Sequence, residues 1–123
     1  VSSDMREITA AAKQGNEKAI LSLEMYEQRI TKYVGAFAAE MGGVDIIVFT
    51  GGVGEHQSST RANVCNPLRF MGVEIDDAAN DANNGDEGII STPNSAVKVV
   101  VIPTDEEYMI AKDTEAIIEG REP

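Results

Sequence analysis

The stretch Asp45-Ile46-Ile47-Val48-Phe49-Thr50-Gly51-Gly52-Val53-Gly54-Glu55 constrains this chain more than any other. Its first half is apolar, β-branched and carries an aromatic, the composition of a buried strand. It runs into a cluster of glycines and then into helix-compatible sequence. Glycines permit positive φ and let a ligand approach the main chain closely. A strand, a glycine turn and a helix start place a nucleotide at the carboxyl end of a sheet in many folds. The first expectation is a small phosphorylated or adenine-containing ligand, and the rival reading is a tight strand-to-helix turn with no ligand.

The remaining punctuation yields an α/β order. Ser3 or Asp4 can cap a first helix running to about Gln14, and Asp4 with Glu7 has capping-box spacing. Gly15-Asn16 interrupts it. Residues 17–41 predict a long helix, with Ala19, Leu23, Tyr26, Ile30, Tyr33, Val34, Phe37 and Met41 forming one apolar stripe. Gly42-Gly43 ends it, and strand 45–50 follows. A helix over Ser58–Phe70 is expected to bend or shorten near Pro67. Gly72–Ile75 and Gly88–Ser91 are short strand candidates, residues 76–87 read as a polar loop, and Thr92–Ser95 reads as a turn. Val97–Ile102 predicts a strand buried on both faces. Pro103 ends it, and Thr104 opens a last helix to about Glu119, closed by Gly120.

Composition sets the class. The chain has 123 residues, enough for one domain or a piece of a larger one, and 42% of them are hydrophobic, enough for a core. A formal net charge of −11 argues against a nucleic-acid or anionic-membrane surface as partner. No run approaches the roughly 20 apolar residues of a membrane span, and no signal peptide opens the chain. Cys65 is alone, which fits a reducing cytoplasm. The opening Val1, followed at once by a helix pattern, suggests a fragment whose upstream part is missing.

The chemistry-bearing motifs each have a plain alternative. The glycine cluster is not a P-loop, because no Gly-Lys-Ser/Thr follows at the required spacing. It half fits a dinucleotide fingerprint: Gly52-x-Gly54 is present, Gln57 occupies the third glycine position, and Glu74 or Asp76 lies about 20 residues on. Thr104 and Glu107 can form a capping box, and acids in a first helical turn contribute roughly 0.3–1 kcal/mol each. Glu106 is not needed for that box, and a carboxylate at the end of a strand is well placed for Mg²⁺. Asp4 is a natural N-cap, and Arg6 is either solvated or able to stack on an adenine. His56 is the single histidine, on a helix-entry turn, where a solvated or capping role is common. The acidic run from Asp76 to Glu87 fails the EF-hand register: with Gly85 as the required glycine, the first ligand is Asn80 and the twelfth is Ser91.

Taken together, these pieces resemble the C-terminal third of the acetate kinase family. Ser2-Ser3-Asp4-Met5-Arg6 resembles its Ser-Ser-Asp-x-Arg segment. Tyr33-Val34-Gly35-Ala36 resembles its lysine-tyrosine-isoleucine-glycine-alanine run, and Asp45 to Glu55 resembles its Val-Phe-Thr-Gly-Gly-Ile-Gly-Glu signature. Arg61, Phe70-Met71-Gly72 and Asp76 follow in order, and Ile102-Pro103-Thr104-Asp105-Glu106-Glu107 resembles Ile-Pro-Thr-Asn-Glu-Glu. Propionate kinases are similar over the same stretch.

The resemblance implies part of a ribonuclease-H-like, actin-like ATPase domain with a mixed sheet flanked by helices. It implies reversible transfer of the γ-phosphoryl of ATP to a short carboxylate, with Mg²⁺, by a cytoplasmic homodimer. Carried over residue by residue, Asp4, Met5 and Arg6 would flank the adenosine, Gly52, Val53, Gly54, Glu55 and His56 would form the adenosine-side loop, and Glu106 would hold Mg²⁺. His56 and Asp105 stand where the family usually has Asn. The family's phosphoryl-transfer residues lie mostly upstream of this segment, so a chain of this extent alone is expected to be inactive. A rival from another class is a nucleotide-binding or dimer-forming module with no chemistry of its own. On that view the stripe of helix 17–41 faces a partner, whereas the plain reading of the stripe is intramolecular core.

Overall fold

The computed structural model describes residues 5–104. Two helices come first, α1 (Met5–Lys13) and α2 (Glu17–Met41), packed on each other across the Gly15-Asn16 break. Asn16 caps α2, its side-chain oxygen accepting from the Ala19 N–H at 3.0 Å. Gly42, at φ +75, ends α2 in the left-handed conformation, and the Gly43 N–H bonds back to the Ala38 carbonyl at 2.8 Å. Both boundaries of α2 lie where the sequence sets them.

The sheet has three strands in the order β1-β3-β2: β1 (Ile46–Phe49), β2 (Gly88–Ile89) and β3 (Lys98–Val101). β1 runs parallel to β3, with Ile46 opposite Lys98 and Phe49 opposite Val101, and β2 runs antiparallel to β3. Between β1 and β2 lie α3 (Gly51–His56), α4 (Ser58–Cys65), a 3₁₀ turn (Asn66–Met71) and α5 (Asp77–Ala82). The core gathers Cys65, Leu68, Val73, Ile75, Ile90, Val97, Val99 and Val101, with Val34, Ile47 and Phe49 packed against it. Each fully buried Val, Leu or Ile contributes about 1.5–3 kcal/mol.

Several expectations give way here. Strand β1 is half-buried: Ile47 and Phe49 face the core, whereas Ile46 and Val48 are 53% and 48% exposed. β3 shows the same alternation more weakly, with Val99 and Val101 buried and Lys98 exposed. The reason is that α2, α4 and the 3₁₀ turn share one face of the sheet, and no described helix covers the other. The stripe of α2 divides likewise. Ala19 is buried and Leu23, Tyr26, Ile30 and Val34 are half-buried, but Tyr33, Phe37 and Met41 are exposed.

The glycine turn is itself a helix, α3, and the polar run 76–87 contains α5. Asp76 starts α5 by accepting the Ala79 N–H at 3.1 Å, and three alanines inside an Asp/Asn-rich stretch extend it. The helix expected over 58–70 changes to 3₁₀ geometry at Asn66-Pro67, where proline removes a backbone donor. Gly72–Ile75 forms two isolated bridges, Val73 to Val97 and Ile75 to Ser91, rather than a strand. The helix expected after Thr104 lies outside the described residues.

Candidate functional site

Helix α3 begins where β1 ends, at the carboxyl edge of the parallel pair. Its sequence Gly51-Gly52-Val53-Gly54-Glu55-His56 is poor helix material, since each glycine costs about 1 kcal/mol relative to alanine. Tertiary contacts hold it instead. Gly51 enters at φ +78, which glycine alone adopts without strain. Gly54 has no positive φ, and a Cβ there would make ordinary van der Waals contact with Phe49 at 3.5 Å, so α3 packs directly against the end of β1. Gly52 faces open space.

That space is a cleft of about 580 Å³ between the start of α1 and α3, lined by Met5, Arg6, Gly52, Val53, His56 and Gln57. Met5 and Val53 supply apolar walls, and Arg6, His56 and Gln57 supply polar groups. Gln57, which the sequence reading did not single out as a site residue, donates from Nε2 to Thr9 Oγ1 at 2.9 Å and to Thr60 Oγ1 at 3.0 Å, joining α1 to α4 beside the cleft. His56 Nδ1 lies 3.1 Å from Asn84 Oδ1, and its ring packs so close to Gly85 that a Cβ there would come within 2.5 Å. The structure thus brings Met5, Arg6, Gly52, Val53 and His56 around one cleft.

Gly54 and Glu55 face away from it. The Glu55 side chain is buried and accepts the Thr104 N–H at 3.2 Å and hydroxyl at 3.1 Å. These bonds, led by the one from the Thr104 N–H, outweigh burial and hold its carboxyl below the usual range. Asp4 and Glu106 lie outside the described residues. Among the described residues, no three His, Cys, Asp or Glu side chains converge to hold a metal ion, and no helix is long and apolar enough to cross a membrane.

A second cleft, of about 460 Å³, lies between α2 and α4. Its buried acid, Glu27, has its carboxyl raised by burial but accepts from Asn63 Nδ2 at 3.2 Å, so it reads as a satisfied structural group.

The family model of the Acetokinase family matches residues 1–112. This chain belongs to that family. It is 59% identical over 118 residues to the acetate kinase of Porphyromonas gingivalis, which covers 96% of this chain and 30% of that protein. The crystal structure of the Porphyromonas gingivalis acetate kinase superposes with a TM-score of 0.87 at 58% identity, again over 96% of this chain and 30% of that one. A propionate kinase structure from Francisella tularensis superposes with a TM-score of 0.78 at 35% identity, over 89% of this chain and 28% of that one. The chain therefore spans about 30% of the length of the acetokinase relatives it matches, and its α/β architecture is a portion of their actin-like ATPase fold. In acetokinase terms, the cleft lies where the Ser-Ser-Asp-x-Arg and Gly-Gly-x-Gly-Glu segments meet.

Proposed function

We propose that this chain forms the adenosine-side wall of an acetate kinase, an enzyme that moves the γ-phosphoryl of ATP reversibly to acetate to give acetyl phosphate. The observation that carries the reading is the cleft between α1 and α3, where two family motifs far apart in sequence face one open space. Met5 and Val53 offer apolar contact to a nucleoside, Gly52 leaves room for close approach, and Arg6 can stack on a base. Asp4, adjacent in sequence to Met5, is assigned to this wall by the family resemblance alone, and Gly54 and Glu55 support the wall from behind.

No carboxylate lines the cleft among the described residues, so on this reading Mg²⁺ would be held by Glu106. The ion is commonly held by one or two carboxylates together with substrate phosphates, so a protein cage is not required. The chain leading to Glu106 is anchored beside α3 through Thr104 and Glu55, which supports Glu106 as the carboxylate that would hold it. When bound, the ion offsets negative charge on the phosphates. Phosphoryl transfer depends on positioning and charge stabilisation around the γ-phosphate. No motif of this chain matches the family's acetate and γ-phosphate residues, so the 123-residue chain alone is inactive on this account. The relative at 59% identity is an acetate kinase and the propionate kinase structure is at 35%, which supports acetate kinase as the first reading and propionate kinase as the second. The exposed Tyr33, Phe37 and Met41 on α2 support a homodimer joined through that face.

The test is photolabelling with 8-azido-ATP of a full-length acetate kinase that carries residues 1–123. Label is expected on peptides containing Met5-Arg6 or residues 52–57, and ADP is expected to protect them. Labelling confined to other peptides overturns the reading.

A further inference from the structure

Arg61 is wholly buried, and every N–H of its guanidinium meets an acceptor. Nε donates to Asn80 Oδ1 at 2.7 Å. Nη1 donates to the Gly54 and Glu55 carbonyls at 3.0 and 2.9 Å. Nη2 donates to the Asn80 and Asn83 carbonyls at 2.9 and 2.6 Å. The first pair of carbonyls ends α3, and the second ends α5 and begins the loop that carries Asn84 and Gly85 against His56. Asn80 extends the cluster, donating from Nδ2 to the Ser58 carbonyl at 2.9 Å.

From this geometry we propose that Arg61 is a positioning residue for the nucleotide cleft, acting on Gly52, Val53 and His56 through the α3 backbone without touching the ligand. Three properties support the proposal. Arg61 is absent from the cleft lining, so any effect on it must pass through the backbone. Helix α3 is glycine-rich and has little intrinsic stability, so its orientation depends on what holds its end carbonyls. The guanidinium is a planar fork with five donors, and an ammonium in its place has three donors on one point and cannot span both helix ends. The same clamp reaches the cleft by a second route, because it fixes Asn83 one residue before the Asn84 side chain that meets His56.

The proposal rests on the nucleotide reading of the cleft, and its test separates the two. In a full-length acetate kinase carrying this chain, Arg61→Lys and the milder Asn80→Ala are compared with the parent by steady-state kinetics and by amide hydrogen exchange. Arg61→Lys is expected to raise the KM for ATP by about tenfold or more, with the KM for acetate changed less than about twofold. Asn80→Ala is expected to shift the ATP KM in the same direction by less, and it carries the test if Arg61→Lys does not fold. Exchange at residues 52–57 is expected to rise in both variants without nucleotide present. Folded variants with unchanged ATP KM and unchanged exchange at 52–57 overturn the proposal, as does an activity loss explained wholly by a smaller folded fraction. Faster exchange at 52–57 with an unchanged ATP KM also overturns the proposal, leaving Arg61 as a clamp on α3 alone, whereas the nucleotide reading of the cleft stands or falls separately on the 8-azido-ATP labelling.

Discussion

Thr104 donates both its backbone N–H and its hydroxyl to Oε2 of Glu55, at 3.2 and 3.1 Å. The two residues are far apart in sequence, one on the glycine helix and one just past β3. Their contact ties the residue just past β3 to the end of α3.

This contact makes stability pH-dependent. The folded-state carboxyl of Glu55 titrates below its ordinary value of 4.5, mainly because the Thr104 N–H bonds to its charged form. Its contribution is therefore full above the unfolded value and is lost as pH falls through the folded value. The expected outcome is that Glu55→Gln lowers the thermal midpoint at neutral pH and that the gap to the parent closes as pH falls through the lowered folded value, below the ordinary 4.5. Melting curves across that range check it, and a gap that persists in acid contradicts it.

Cys65 is fully buried, and burial pushes its thiol up to about 12. Thiolate is the reactive form, so the folded protein has almost none of it near neutral pH. A disulfide reagent at about pH 8 should leave Cys65 unlabelled until denaturant is added. Rapid labelling of the native protein would contradict this packing.

Gly52 and Gly72 should respond in opposite ways to alanine. At Gly72, φ is +90 and a Cβ would sit 2.7 Å from the Ala96 Cβ, so Gly72→Ala should cost about 1–3 kcal/mol of stability. At Gly52 the added methyl meets nothing and points at open space, so Gly52→Ala should leave stability within about 1 kcal/mol of the parent, or raise it. The Gly52 variant should instead raise the nucleotide KM. Thermal midpoints and ATP kinetics of the two variants check the contrast.

Glu106→Ala should reduce Mg²⁺-dependent turnover in a full-length enzyme far more than Glu107→Ala. On the capping-box reading of the sequence, losing Glu107 should cost only about 0.5–2 kcal/mol of stability. Magnesium titrations of both variants distinguish them, and equal kinetics with equal loss of melting temperature would remove Glu106 from the metal role.

The parts legible in the sequence are those set by local chemistry. Asn16 and Gly42-Gly43 bound α2 by side-chain capping and left-handed backbone, and both signals lie within a few residues of what they control. Pro67 marks the change of helix type for the same reason. What the sequence concealed depends on distant partners. Ile46 and Val48 look as buried as Ile47 and Phe49 because a strand's composition does not reveal whether one or two layers cover its sheet. Helix α5 hides in a polar run because its alanines and the Asp76 cap matter more than its mean polarity. Gly54 carries no positive φ and Gly51 does, and only the fold distinguishes the glycine whose backbone shape is required from the others in the cluster. Arg61 stands in its expected place in the family order, yet its role arises from carbonyls at 54, 55, 80 and 83 that meet only in three dimensions.

The account's central claim is that the cleft between α1 and α3 receives the adenosine of the nucleotide. A crystal structure of a full-length acetate kinase carrying this chain, grown with ADP, tests it most directly. The account predicts adenosine density in contact with Met5, Arg6, Gly52, Val53 and His56, with α3 held by Arg61 as described. ADP bound elsewhere, with this cleft filled by other protein segments, would contradict it.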